Sequence, residues 1–159
     1  MTAPAIDPYL IEETIEIDAP VPAVWDVVSD LRRMGEWSPQ CRRMWVRGPI
    51  GVGTRTINLN RQGWKVWPTT ARVVRYEPQT AIAFRITENR TVWTFELTDL
   101  GDGRTRLVER RTAPHGTSSV SRALVAAVLG GDAAFRDELA QGIASTLARV
   151  RTEAEGARR

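Results

Sequence analysis

The stretch Val24-Trp25-Asp26-Val27-Val28-Ser29-Asp30, followed closely by Glu36-Trp37-Ser38-Pro39-Gln40-Cys41, is the most informative part of this sequence. Apolar residues recur at helical spacing from Val24 to Leu31, which predicts a short amphipathic helix. Pro22 is well placed in its first turn, where the missing backbone N–H has no helical partner. The chain therefore enters a short helix and leaves this region through an aromatic turn that a proline ends.

A second short helix is expected near residues 30–36. Asp30 is the predicted N-cap, because an aspartate side chain can accept a hydrogen bond from the free amides of a first turn. Ser38-Pro39 would end this helix. Two short helices in succession are thus predicted between the first strand and the rest of the chain.

The middle of the chain reads as a series of short strands. Turn signals such as Gly101-Asp102-Gly103 separate them. Connections this short join only antiparallel neighbours. The sequence therefore predicts seven antiparallel strands, at 9–17, 42–47, 54–60, 64–76, 81–87, 91–97 and 105–112.

After Pro114-His115-Gly116 the pattern becomes helical. Val120, Leu124 and Val128 are spaced by four residues before Gly130-Gly131, which should break or kink the helix. A long helix is then predicted over 132–155, with Asp132 as a candidate N-cap and a length of about 36 Å. Its apolar stripe contains Phe135, Leu139, Ile143, Leu147 and Val150.

Length and composition indicate a single domain. The 159 residues suit one core of ordinary size over 1–159, with an ordered part of about 9–155. No apolar run approaches the roughly 20 residues of a membrane span, and the first residues do not resemble a signal peptide, so we expect a cytoplasmic protein without stable membrane insertion. One cysteine and one histidine predict no disulfide, no metal site and no cofactor.

The small excess of basic over acidic residues does not predict a nucleic-acid partner. The formal net charge is +3, and Lys65 is the only lysine among 22 basic residues. The arginines are interspersed with acids, as in Glu109-Arg110-Arg111, and no basic stripe with interleaved aromatic residues is present. A solvated, arginine-rich surface is the interpretation we prefer.

Several of these segments resemble one protein superfamily. Gly35-Glu36-Trp37-Ser38-Pro39 with Cys41, Trp93-Thr94-Phe95-Glu96-Leu97 and Gly103-Arg104-Thr105-Arg106-Leu107 resemble the polyketide cyclase/dehydratase branch of the helix-grip proteins, which include START and birch-pollen-allergen-like domains (SRPBCC). The resemblance covers about residues 10–155. It implies an α+β fold in which a seven-stranded antiparallel curved sheet wraps around a long C-terminal helix, with two short helices after strand one. It also implies one apolar internal cavity.

Residues two apart share a face of a strand, so a register can be assigned to this cavity. We predict that Trp67 and Val73 on the fourth strand, and Trp93 on the sixth, point inward with their period-2 neighbours. Thr105, Leu107, Glu109 and Arg111 form the inward set of the last strand. The predicted ligand-binding residues are Trp37, Cys41, Trp67, Thr69, Ala71, Phe84, Trp93, Phe95, Leu107, Glu109, Phe135, Leu139 and Ile143.

Two of these residues have specific predicted roles. Trp37, beside a proline turn, is the candidate mouth residue or gate. Glu109 is the candidate catalytic residue, because a carboxyl group in an apolar cavity has a raised pKa and can serve as a general acid or base. Its alternatives are an ion pair with Arg111 or Arg85, or an outward orientation if the register differs.

The remaining candidates are weaker. Cys41 reads as a small buried filler, since no group that would activate its thiol is evident. His115 lies in the loop before the long helix and could be a proton donor at the cavity rim. Related sequences often carry an acid where this chain has Gln40, which removes one carboxylate near the mouth.

Three functions remain open at this stage. The first is a carrier that sequesters a lipid, polyketide or aromatic metabolite, as a monomer or homodimer. The second is a cofactor-independent polyketide cyclase/dehydratase or aromatase that uses Glu109. The third is an interaction protein similar to the chaperone co-factor members, for which a fully packed interior is expected.

Overall fold

A computed structural model of the chain describes residues 7–116 and 132–157. Seven strands and three α-helices make up these residues, together with a 3-10 turn at Leu31–Arg33 between the first two helices. The elements in chain order are β1 (Ile11–Ile17), α1 (Val21–Val28), α2 (Met34–Trp37), β2 (Cys41–Val46), β3 (Arg55–Gln62), β4 (Lys65–Glu77), β5 (Ala81–Ile86), β6 (Val92–Gly101), β7 (Arg104–Thr112) and α3 (Asp132–Gly156).

The seven strands form one antiparallel sheet in the order β1-β7-β6-β5-β4-β3-β2. Strands β2 to β7 follow each other as a meander, and β1 returns to pair with β7. The predicted fold class is confirmed, with the long C-terminal helix against the curved sheet. Most predicted strand ends agree within two residues, while β6 continues to Gly101 because a bulge between Asp99 and Gly101 keeps it paired with β7.

Helix α1 begins as its prolines predict. Pro20 occupies the N-cap position in an extended conformation, and Pro22 lies in the first turn. The Trp25 side chain is buried and meets the Tyr76 ring edge-on, with 5.5 Å between ring centroids. Asp30 does precede the 3-10 turn, but its side chain makes no capping hydrogen bond, so that part of the N-cap prediction is wrong.

A close backbone approach fixes α2 against the sheet. A Cβ atom added to Gly35 would lie 2.1 Å from the carbonyl oxygen of Arg42 on β2. No real side chain tolerates this distance, so only glycine allows the helix to approach the strand this closely. The packing of α2 against β2 therefore requires glycine at position 35.

The predicted inward face of the sheet is confirmed. Strand pairing places Trp93 opposite Phe84 and Arg111, and Phe95 opposite Ile82 and Glu109. Residues that pair directly across antiparallel strands share a face, and the inner members of these rows are buried or half-buried. A bulge between Val73 and Arg75 shifts the pairing of β4 with β5, but only after Val73, the last inward residue predicted on β4.

Helix α3 covers this face, and its two halves differ in how deeply their apolar side chains are buried. Toward its C-terminal end, Leu147, Val150 and Ala154 are fully buried in the main hydrophobic core, which also contains α1. Toward its N-terminal end, Phe135 is only half-buried. The helical spacing predicted at 120–128 and the Gly130-Gly131 break lie outside the described residues. Among the residues described, no helix combines the length and apolar character needed to cross a bilayer.

Candidate functional site

An internal chamber lies between the inner face of the sheet, α2 and the N-terminal half of α3. Its volume is about 130 Å³. Aromatic rings form much of its wall, while carboxyl, guanidinium and amide groups also face it. The lining residues are Met34, Ser38, Gln40, Cys41, Met44, Asn58, Asn60, Trp67, Thr69, Phe84, Ile86, Asn89, Trp93, Glu109, Arg111, Phe135 and Leu139.

A cleft of about 390 Å³ adjoins the chamber. The two share Trp93, Glu109 and Phe135 as lining residues, together with Ser38, Gln40 and Leu139. The cleft runs between the α2–β2 turn, the β3–β4 hairpin at 61–63 and α3, whose buried Leu139 and exposed Glu138 both line it. A ligand larger than the chamber would extend into this cleft.

Glu109 is the most unusual group of the site. Its side chain is 4 % exposed, and its Oε2 atom has no hydrogen-bond partner in the described structure. Burial raises the pKa of the Glu109 carboxyl well above its usual value, because the charged form loses its hydration. Burial thus favours the protonated form of this carboxyl, which lines both the chamber and the cleft.

Arg111 lies two residues further along β7, on the same face. It is 6 % exposed, and its guanidinium carbon lies 5.9 Å from the centre of the Phe135 ring. Desolvation on burial, together with the nearby Arg136 charge, lowers the pKa of Arg111 to about 10. The guanidinium remains charged near neutral pH, and within the described ranges no carboxylate forms an ion pair with it.

A hydrogen-bonded ladder of polar side chains forms the opposite wall. The Thr56 hydroxyl donates to Asn58 Oδ1 at 2.7 Å, and Asn58 Nδ2 donates to the Thr69 hydroxyl oxygen at 3.2 Å. Asn60 Nδ2 donates to the same oxygen at 2.9 Å. These bonds satisfy buried polar atoms and hold amide groups at the chamber surface.

Cys41 contributes bulk and not reactivity. Burial raises the pKa of its thiol to about 11, against a smaller opposing effect of the Arg43 carbonyl. The thiol therefore stays protonated near neutral pH, which agrees with its interpretation as a filler. Across residues 7–116 and 132–157, no three histidine, cysteine or acidic side chains converge as a metal-binding group would require.

The structure brings together most of the predicted ligand-binding residues. Those that line the chamber are Cys41, Trp67, Thr69, Phe84, Trp93, Glu109, Phe135 and Leu139. Ile143 lines the adjoining cleft. The prediction that Glu109 faces inward is confirmed, and the alternatives of an ion pair or an outward orientation are not observed.

Four predicted residues lie elsewhere. Phe95 and Leu107 are fully buried in the hydrophobic core, and Ala71 packs nearer the β3 end of the sheet without lining the chamber. The expectation that Trp37 forms the mouth is wrong. Its ring is 5 % exposed because α2 turns it into the core, with the Arg33 guanidinium 4.6 Å above it.

His115 is also away from the chamber. It is exposed and lines a separate groove on the outer face of the sheet, with Trp45 and Ile57. A role as proton donor at the chamber rim therefore finds no support in its position.

The sequence interpretation missed several chamber residues. Asn58 and Asn60 alternate with outward residues on β3, and this period-2 pattern was the available signal. Met34 and Met44 come from α2 and β2, for which no inward set was assigned. Arg111 was placed inward correctly but was considered only as a partner for Glu109.

Comparison with solved structures identifies similar folds. The di-domain ARO/CYC StfQ from the steffimycin biosynthetic pathway matches with a TM-score of 0.74 at 14% identity, over 94% of this chain and 51% of StfQ. The chain thus spans about half the length of that protein. The Zhui aromatase/cyclase from Streptomyces sp. R1128 matches with a TM-score of 0.67 at 20% identity, over 94% of this chain and 95% of Zhui.

A third similar structure is the polyketide-cyclase-like protein Cgl2372 from Corynebacterium glutamicum, with a TM-score of 0.57 at 24% identity over 92% of this chain and 88% of that protein. No curated protein sequence matches the chain. The sequence model of the family described as "Polyketide cyclase / dehydrase and lipid transport" matches residues 10–155, which is nearly the whole chain. Because this match covers far more than half of its residues, the chain belongs to the polyketide cyclase/dehydrase and lipid transport family.

Proposed function

We propose that this chain binds an oxygenated hydrophobic small molecule, of the polyketide or aromatic class, in the chamber and acts on it through Glu109 as general acid. The observation that carries the proposal is the buried Glu109 carboxyl at the chamber wall, with its unpartnered Oε2 atom and a pKa that burial raises. A group of this kind is costly to bury, so its presence favours a use for its proton.

The chamber wall fits both parts of such a ligand. Rings of Trp67, Phe84 and Trp93 offer flat apolar surface for a planar or extended carbon skeleton. Asn58 Nδ2 donates one N–H to Thr69 and has a second for a ligand oxygen, whereas Asn60 Nδ2 donates to Thr69 and to the Trp67 carbonyl oxygen and serves to hold the wall. Family membership and the names of Zhui and StfQ, which are described as aromatase/cyclases, support the same ligand class.

The chemistry available to Glu109 is a proton transfer. In the dehydration of a β-hydroxy ketone, Glu109 would give its proton to the hydroxyl group that leaves as water. In the same step its second carboxyl oxygen would take the proton from the carbon between the hydroxyl-bearing carbon and the ketone, so that the C–O bond breaks as the C=C bond forms and the carboxyl is left protonated again. Arg111 beside it would stabilise the negative charge that develops on the ketone oxygen.

Replacement of Glu109 by glutamine tests this role, because the amide keeps the size and a hydrogen-bond donor but cannot transfer the proton. With a soluble poly-β-ketone thioester as substrate, we expect E109Q to lower the rate of aromatic product formation about 100-fold or more. Binding measured by tryptophan fluorescence should change little. E16Q is the matched control, since Glu16 is an exposed glutamate. Unchanged turnover in E109Q would exclude Glu109 as the acid.

A carrier that releases its ligand unchanged is the second candidate. It is favoured by the absence, in the described part of the chain, of a second proton-transfer group at hydrogen-bond distance from Glu109. The Cys41 thiol is held protonated, and His115 lies on the other face of the sheet. Native mass spectrometry of freshly purified protein separates the two functions. A bound molecule that survives long incubation unchanged supports the carrier, and its conversion supports the enzyme.

The interaction-protein alternative predicted a fully packed interior. The chamber and cleft contradict that expectation, so this alternative is not proposed here.

A further inference from the structure

Arg111 is a buried cation that forms no ion pair in the described residues, although the Asp7 carboxylate acts on it electrostatically and raises its pKa against the larger lowering effect of burial. The carboxylate oxygens of Asp7 are both hydrogen bonded to backbone amides and make no hydrogen bond to the guanidinium. Asp7 Oδ1 accepts a hydrogen bond from Tyr9 N at 2.8 Å, and Oδ2 accepts one from Ala113 N at 2.7 Å. An isolated buried guanidinium is unfavourable unless something compensates its charge. Because Arg111 lines the chamber, an anionic ligand there could supply the ion pair that the described residues do not.

Glu109 provides a complementary group beside it. Residues two apart on a strand are separated by about 7 Å along its axis and point to the same side. Their side chains thus reach one region of the chamber with five guanidinium N–H donors and one carboxyl O–H donor. Two adjacent donor groups, one of them cationic, match an anion whose charge is shared between two oxygen atoms.

We infer that the ligand of this chamber binds as a delocalised oxyanion, a carboxylate or the enolate of a 1,3-dicarbonyl compound. One ligand oxygen pairs with the Arg111 guanidinium, and the second accepts a hydrogen bond from the Glu109 carboxyl. This inference rests on the proposed function, because it specifies the class of small molecule that the same chamber takes. The Phe135 ring, against which the guanidinium lies, favours a ligand whose carbon skeleton is aromatic or otherwise planar.

The charged groups around the pair determine its pH dependence. Glu13 on β1 is the direct cross-strand neighbour of Glu109, Phe95 on β6 is uncharged, and Glu138 on α3 lines the adjoining cleft. Burial is the cause of the raised Glu109 pKa, whereas Arg111 is also affected by Arg136 on α3, which lowers its pKa, and by Asp7 and Tyr9, which raise it. A ligand anion would be repelled if Glu109 lost its proton, so affinity for an anion should fall as pH rises through the raised pKa of Glu109.

A matched pair of probes tests the inference. The first is 2-naphthoate and the second is 2-naphthamide, which has the same ring and nearly the same shape but no charge. Binding to the full chain is measured by isothermal titration calorimetry at neutral pH. We expect the acid to bind about tenfold or more tightly than the amide, because a charge-assisted hydrogen bond is stronger than a neutral one.

Three variants locate the effect. R111Q should reduce the ratio of acid to amide affinity to near one. R110Q is the matched control, since Arg110 is the next residue on β7 but pairs with Glu12 and Glu96 on the opposite face, and it should keep the wild-type ratio. E109Q should keep the preference for the acid but lose its decline at higher pH, because the amide donor does not ionise.

Each outcome separates this inference from the proposed function. Equal affinities of wild type for acid and amide, or an unchanged ratio in R111Q, would overturn the oxyanion inference while leaving ligand binding in the chamber intact. Binding of neither probe, in a chain that remains folded by circular dichroism, would count against both. If R111Q fails to fold, the wild-type comparison and the pH profile of E109Q still decide the outcome.

Discussion

Glu109 and Arg111 occupy the same face of β7, two residues apart, and the structure records no ion pair between them. Desolvation is the main cause of the pKa shift of both groups: it raises the pKa of the Glu109 carboxyl and lowers that of the Arg111 guanidinium. A directly bonded pair would show opposite shifts. The pair is thus arranged toward the chamber and not toward each other.

The buried carboxyl predicts a pH dependence of stability. Below its ordinary pKa of 4.5 the carboxyl is protonated in both the folded and the unfolded chain, and its burial carries no ionisation cost. As pH rises above that value the unfolded chain ionises while the folded chain keeps the proton. The free energy of unfolding should therefore fall with pH, by up to about 1 kcal/mol per pH unit, until pH passes the raised pKa.

Urea unfolding of wild type and E109Q from about pH 5 to pH 8 measures this contribution. E109Q should show a shallower decline than wild type, whereas the surface variant E16Q should retain the wild-type slope. Identical slopes in wild type and E109Q would mean that Glu109 ionises as freely in the folded chain as in the unfolded one.

Arg111 predicts a conflict between stability and binding. Replacement by methionine removes a desolvated charge that forms no ion pair in the described residues and keeps much of the apolar volume beside Phe135, so R111M should raise the free energy of unfolding by about 1 kcal/mol. The same variant should lose its preference for 2-naphthoate over 2-naphthamide. Chemical denaturation provides the measurement, with R110M as control. A loss of stability in R111M greater than in R110M would show that the guanidinium is satisfied in the folded protein.

Two neighbours on β6 should respond differently to truncation. Phe95 is 1 % exposed in the core, so F95A should lower the free energy of unfolding by about 3–5 kcal/mol. Trp93 lines the chamber and is only half-buried, so W93A should cost less stability but weaken binding of 2-naphthoate. Denaturation and calorimetry on both variants check this contrast. Equal stability losses with unchanged binding would place Trp93 in the core as well.

The contact between Gly35 and Arg42 predicts a sensitive position in the turn that identifies the fold. G35A should lower the free energy of unfolding by about 2 kcal/mol, because the new methyl group must displace backbone. G51A is the control, since a Cβ at Gly51 meets no atom within 4 Å. Thermal melts of both variants are sufficient, and a melting temperature of G35A equal to that of G51A would contradict the packing argument.

The sequence predicted the architecture because its signals were local. Alternation of side chains along β4 to β7 predicted which residues face inward. The pairing of these strands places the inward residues of neighbouring strands opposite each other. The position of Glu109 followed from period 2 alone. Such patterns hold because a shift of one residue would bury the polar face of every strand.

The errors came from features that local pattern does not encode. The proline turn showed where the chain leaves α2 but not how the Trp37 ring rotates, and packing turned it inward. Asn58 and Asn60 occupy inward positions, yet polar residues in alternation ordinarily indicate a solvent face. Only the Thr69 hydroxyl on the neighbouring strand, which accepts from both amides, makes their burial tolerable.

The division of α3 into two halves has an evolutionary consequence. The half that contains Leu147 and Val150 anchors the fold, whereas the half that contains Phe135 meets the chamber. Substitutions around the chamber can therefore accumulate without eroding the anchor, and descendants of one ancestor can diverge in ligand while sharing a scaffold.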